Sequence, residues 1–196
     1  MGEALVPGLS RPSKRSTTGA PSKSNGAAVP FGRRLVELLE LRPDDLLVGL
    51  GASSSCHCLA MRELVSLRYQ MVIVDPLLKR LMRLANAPSV RLVEMGALEF
   101  ARHPIQWDKI LLDDAVAAED GDRMDELLSL LFKRLRAGGR MIAVLSASAL
   151  TPSASLRQSM EFACRVRDSG FEVIFDTVQG APHQWNLVVG SKRASA

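Results

Sequence analysis

The chain has 196 residues, 47% of them hydrophobic, 23% charged and 5% aromatic, with a net charge of +4. That length suits one domain with a single site and leaves no room for a dinucleotide domain plus a separate substrate domain. No apolar run approaches the roughly 18 residues that cross a bilayer, so no membrane partner is expected.

The charge is uneven. Arg11, Lys14, Arg15 and Lys23 against Glu3 give residues 1–30 a balance of +3, and Lys192 with Arg193 adds +2, which leaves residues 31–190 at −1. The folded surface is therefore not expected to be a footprint for phosphates, although the basic arm leaves a nucleic-acid contact open. Cys56, Cys58 and Cys164 are an odd number without a repeating frame, which suits reduced thiols in an intracellular, cytoplasmic chain.

Residues 1–30 are rich in Ser, Pro, Gly, Ala and basic side chains, a composition that buries too little surface to offset ordering, so a disordered basic tail is expected there. The stretch lacks the apolar run of a signal peptide, and Val6 breaks the myristoylation pattern; organellar targeting by residues 1–30 stays open. The folded domain is expected over residues 31–192.

Leu35, Leu38, Leu39 and Leu41 fall at helical spacing before Pro43, predicting a short lead-in helix from Arg33. Residues 45–49 read as a buried strand, followed by the turn Gly51-Ala-Ser-Ser-Ser and a helix through Leu67 capped by Ser54 or Ser55. Gln70 to Asp75 is a second apolar strand, and Pro76 leads into a helix over residues 77–85. Further strands are expected over residues 90–94, 109–112, 140–145, 171–178 and 185–189, with helices over 122–136 and 153–169.

Gly138-Gly139 is positioned to close the first of these two helices with a left-handed cap. The last two strands are too close in sequence for a crossover and must form an antiparallel hairpin. The whole reads as an α/β chain: a doubly wound, mostly parallel seven-stranded sheet of Rossmann type ending in that hairpin. Leu127, Leu128, Leu130, Leu131 and Leu135 give one broad apolar face whose default role is core; left uncovered, it would dock a partner.

Gly49 and Gly51 lie between a strand and a helix, where glycine lets the backbone approach a ligand and free amides point outward. Asp75 ends the next strand, where a carboxylate either accepts both hydroxyls of a ribose or caps the following helix. Cys56-His57-Cys58 has no second pair to complete a zinc site, and Tyr69 lacks the lysine four places on that a short-chain dehydrogenase needs. His183 and Trp185 either border a substrate pocket or serve the surface and the core.

Taken with Glu94-Met-Gly-Ala-Leu-Glu-Phe100, Trp107 to Asp114, Arg136-Ala-Gly-Gly-Arg140 and the hairpin, these features resemble the class I S-adenosylmethionine-dependent methyltransferases over residues 31–192. The resemblance implies S-adenosylmethionine as cofactor. It implies Gly49, Gly51 and Ser53 beside the methionine part, Asp75 on the ribose, and Gly96 and Ala97 along the adenine. Asp113 and Asp114 would lie nearest the methyl group, one of them a base or an orienting group, unless they belong to a solvated acidic loop.

Three positions depart from the family's pattern: Leu47 stands where an acid is usual, Ser53 replaces the third glycine, and Gly96 takes the place of an adenine-binding acid. Two functions follow. One is methyl transfer to an unidentified small-molecule or protein acceptor. The alternative is a catalytically inactive methyltransferase-like domain acting as a protein-binding or scaffold subunit, on a partner protein or as a homodimer. No Asn-Pro-Pro-Tyr or Asp-Pro-Pro-Tyr stretch is present, so adenine and glutamine acceptors are not expected.

Overall fold

Five-residue apolar runs such as Leu46-Leu-Val-Gly-Leu50 form strands because helices cover both faces of the sheet they build. The computed structural model describes residues 25–51, 57, 61, 70–76, 90–118, 121–146, 152–180 and 183–194. Among these, the strands are β1 (Leu46–Leu50), β2 (Gln70–Val74), β3 (Val90–Val93), β4 (Trp107–Leu112), β5 (Leu135–Ser146), β6 (Glu172–Gly180) and β7 (His183–Ser191). The helices are α1 (Asn25–Leu39), α2 (Ala97–Arg102), α3 (Asp114–Ala117), α4 (Gly121–Arg134) and α5 (Pro152–Asp168). The helices expected over residues 54–67 and 77–85 lie outside the described residues, apart from His57 and Met61, which are helical.

The strands form one sheet in the order β3-β2-β1-β4-β5-β7-β6. Neighbours from β3 to β5 are parallel, while β7 runs antiparallel to both β5 and β6, as the short hairpin connection requires.

Alternation along each strand divides the core in two. Val48, Leu50, Ile110, Leu112 and Met141 face α2, α4 and α5, where they meet Phe100, Met124, Leu127, Leu128, Leu131, Phe162 and Val166. Leu47, Met71, Ile73, Leu111 and Ile142 point the other way, onto Phe31, Leu35 and Leu39 of α1. Burial of each such side chain contributes roughly 1.5–3 kcal/mol. The leucine face of α4 serves the core: Leu127, Leu128 and Leu131 are buried together with Leu135 at the start of β5, and the half-buried Leu130 packs against them.

Strands β4 to β7 run a few residues beyond their expected bounds, and two helix boundaries also differ from expectation. Helix α1 starts at Asn25, so residues 25–30 belong to it and not to a tail. The helix is held to the sheet by buried Phe31 and by Arg34, whose Nε and Nη2 donate to Asp176 on β6 at 2.9 and 2.7 Å.

Helix α4 ends at Arg134, short of Gly138. Gly138 is left-handed (φ 75°), yet its turn belongs to β5, where Gly138 N donates to Lys192 O and Lys192 N to Gly139 O. The end of α4 is capped instead by Lys192, whose Nζ donates to Phe132 O at 2.8 Å and Leu135 O at 2.7 Å.

Among the described residues no helix is long and apolar enough to cross a membrane.

Candidate functional site

The chain leaves β1 toward β2 and β3 on one side, while β4 and β5 lie on the other. Such a reversal opens a crevice at the C-terminal ends of the strands, the place where open α/β sheets bind ligands. Most of the residues chosen from the sequence stand along this edge.

Three backbone bonds extend the ladder just past the strand ends. Gly51 N donates to Val74 O (2.9 Å), Asp75 N to Val93 O (3.1 Å) and Asp113 N to Leu50 O (3.1 Å). Asp75, Gly51 and Asp113 are thereby fixed side by side across β2, β1 and β4, about 4.8 Å per step. Gly49 sits one pair back within β1, opposite Ile73 and Leu111. Gly96 follows β3 and precedes α2, with no atom within 4 Å of where its Cβ would stand; Ala97 opens the helix and is buried. Ser53 lies outside the described residues.

Gly51 adopts φ 101°, a conformation that favours glycine. A Cβ there would stand 2.1 Å from Asp113 Oδ1. Asp113 is 1% exposed, and its Oδ1 accepts from Val116 N at 3.0 Å, which makes it the N-cap of α3. Asp75 is likewise buried.

Asp114, one residue on, faces a cleft of about 500 Å³ between α3, the end of β5 and α5. Its walls are Leu145, Phe162 and the alanines 115, 117 and 118, with Ser146 and Gln158 as further polar groups. The Asp114 carboxylate makes no hydrogen bond or ion pair among the described residues.

His57 meets Phe31 edge-on (4.9 Å between centroids), and Phe31 stacks on Trp185 at 4.4 Å. Burial pushes the His57 imidazole down to about 4, only partly opposed by the Asp114 carboxylate. His57 is therefore neutral at pH 7 and brings no counter-charge to Asp114. Trp185 serves packing.

Ser146, Gln158 and Phe162 were not singled out from the sequence. Ser146 carries a findable signal, since it ends a parallel strand at the edge where ligands bind. Gln158 and Phe162 lie four apart on α5, and nothing local ties that helix to the crevice.

A parallel sheet with this reversal and a closing antiparallel strand defines the class of doubly wound α/β proteins that bind ligands at their strand ends. No protein-family model and no curated protein sequence matches the chain. Solved structures do. The N-methyltransferase NodS from Bradyrhizobium japonicum superposes with TM-score 0.65 at 13% identity, covering 87% of this chain and 98% of that one. The 1,6-didemethyltoxoflavin-N1-methyltransferase of Burkholderia thailandensis, with S-adenosylhomocysteine bound, gives 0.62 at 16% identity, over 87% and 80%. An O-methyltransferase family protein from the same organism gives 0.60 at 16% identity over 87% of this chain, which spans only 58% of that one. The fold of this chain is class I methyltransferase-like.

Proposed function

We propose that the chain binds S-adenosylmethionine along the ends of β1, β2 and β3 and transfers its methyl group to an acceptor. The observation that carries this reading is the row formed by Asp75, Gly51 and Asp113 at the ends of β2, β1 and β4, at the reversal point of the sheet, with Gly96 following β3. Asp75 would bring a carboxylate to the ribose hydroxyls, the tight turn at Gly51 would pass the methionine part, and the open space at Gly96 would admit the adenine against Ala97. Neighbours of this fold that carry S-adenosylhomocysteine support the choice of cofactor.

When bound, the cofactor supplies a methyl group on a positively charged sulfur, so the protein's task is alignment and exclusion of water more than proton transfer. Of the two acids after β4, Asp113 is spent on capping α3 and packing against Gly51, and Asp114 faces the cleft.

A second reading, a non-catalytic subunit that docks a partner protein, is favoured by two positions. Leu47 fills an acid's usual place with a fully buried apolar side chain, and Gly96 has no side chain to offer. Equilibrium dialysis with radiolabelled S-adenosylmethionine separates the readings. The cofactor reading expects saturable binding at one site, weakened roughly tenfold or more by Asp75→Ala, the loss of a charge-assisted bond; no saturable binding would favour the docking role.

A further inference from the structure

We infer that the cleft beside Asp114 takes an acceptor that is a small, largely apolar amine, methylated on nitrogen. The inference rests on the methyl-transfer reading above and deepens it.

Size comes first. A space of about 500 Å³ falls in the range of pockets that enclose small molecules. Three alanines, Leu145 and Phe162 make most of the wall, so the body of the acceptor is apolar. No lysine or arginine lines the cleft among the described residues. Arg165, in the adjoining depression, lies beside Glu161 and is held by Gly121 O at 3.3 Å and Asp125 at 3.8 Å. Phosphate-bearing and carboxylate-bearing acceptors therefore have no counter-charge among the described residues of the cleft.

Charge decides the reacting atom. Asp114 is the one ionisable group of the described lining, it has no hydrogen bond or ion pair among the described residues, and its neighbour His57 is neutral. An ammonium group entering the cleft meets this carboxylate, releases one proton to solvent and becomes a nucleophile. The nitrogen lone pair forms the new N–C bond while the methyl C–S bond breaks, with its electron pair staying on sulfur. Positive charge moves from sulfur to nitrogen, and a carboxylate beside the nitrogen stabilises charge where it develops. For a phenolate or carboxylate oxygen the same carboxylate repels the reacting form, so this placement selects against oxygen anions.

The test uses the full chain saturated with S-adenosylhomocysteine, whose own binding is measured first. 2-Phenylethylamine and its anionic counterpart 3-phenylpropanoate are then titrated at pH 7.5, followed by protein-observed NMR, on wild type and on Asp114→Asn. The expected result is binding of the amine, at least tenfold weaker in the variant, with the propanoate bound at least tenfold more weakly than the amine by wild type. Equal affinity for the two probes, no binding of the amine, or an amine affinity unchanged in Asp114→Asn would overturn the inference while leaving the cofactor reading intact. Failure of S-adenosylhomocysteine to bind would instead remove the cofactor reading, and the amine arm would still read the cleft directly.

Discussion

The carboxylate of Asp113 occupies the space that any side chain on Gly51 would need: a Cβ on that glycine would stand 2.1 Å from Oδ1 and 2.2 Å from Cγ. Strand β1 and strand β4 are locked together at their ends by this contact and by the Asp113 N to Leu50 O bond. Gly51→Ala meets both the clash and a φ of 101°, and should cost about 2–4 kcal/mol in urea unfolding. Asp113→Ala removes the obstructing group, so the double variant should lose less than the sum of the singles; strict additivity would contradict the contact.

Asp113→Ala on its own deletes an N-cap and should lower stability by about 0.5–2 kcal/mol. Because the carboxylate is turned onto its own chain, affinity for S-adenosylhomocysteine, measured by calorimetry, should change less than threefold. A loss of tenfold or more would place Asp113 on the cofactor.

His57 predicts a pH dependence. Its folded value of about 4 lies below the ordinary 6.5, so the unfolded chain binds more protons between these values and stability falls as pH drops from 6.5 toward 4. The full contribution is about 3 kcal/mol. Carboxylates titrate in the same window, so the quantity to measure is the difference between wild type and His57→Gln. Wild type should lose more stability than the variant from pH 7.5 to 4.5, and parallel curves would show that the imidazole is not buried as described.

Lys192 closes α4 from 57 and 60 residues away in sequence, with two bonds to carbonyls and its ammonium 5.0 Å from the centre of the Phe132 ring. Lys192→Met removes the charge-assisted bonds and should cost about 1.5–3 kcal/mol by urea denaturation. An unchanged midpoint would mean that solvent caps those carbonyls equally well.

The same lysine shows where sequence reading stops. Gly138-Gly139 carries the composition of a helix cap, but it serves a turn in β5 because a long-range partner had already satisfied the helix. Residues 25–30 resemble a tail in composition, yet they continue into a helix anchored by Phe31 on Trp185, a contact between α1 and β7. The apolar strands, the hairpin and the acid at the end of β2 were legible because each is a local pattern. The Asp114 cleft was legible on one side only: the acid follows a strand, whereas Gln158 and Phe162 come from a helix whose placement depends on the whole sheet.

The most direct test of the account is a thermal unfolding titration of the full chain with S-adenosylmethionine, S-adenosylhomocysteine and NAD. A ligand at a hundred times its dissociation constant stabilises by about 2.7 kcal/mol, which for a domain of this size raises the midpoint by roughly 5–10 °C. The account predicts that shift with the first two ligands, none with NAD, and its loss in Asp75→Ala; no shift with either sulfur compound at millimolar concentration would contradict it.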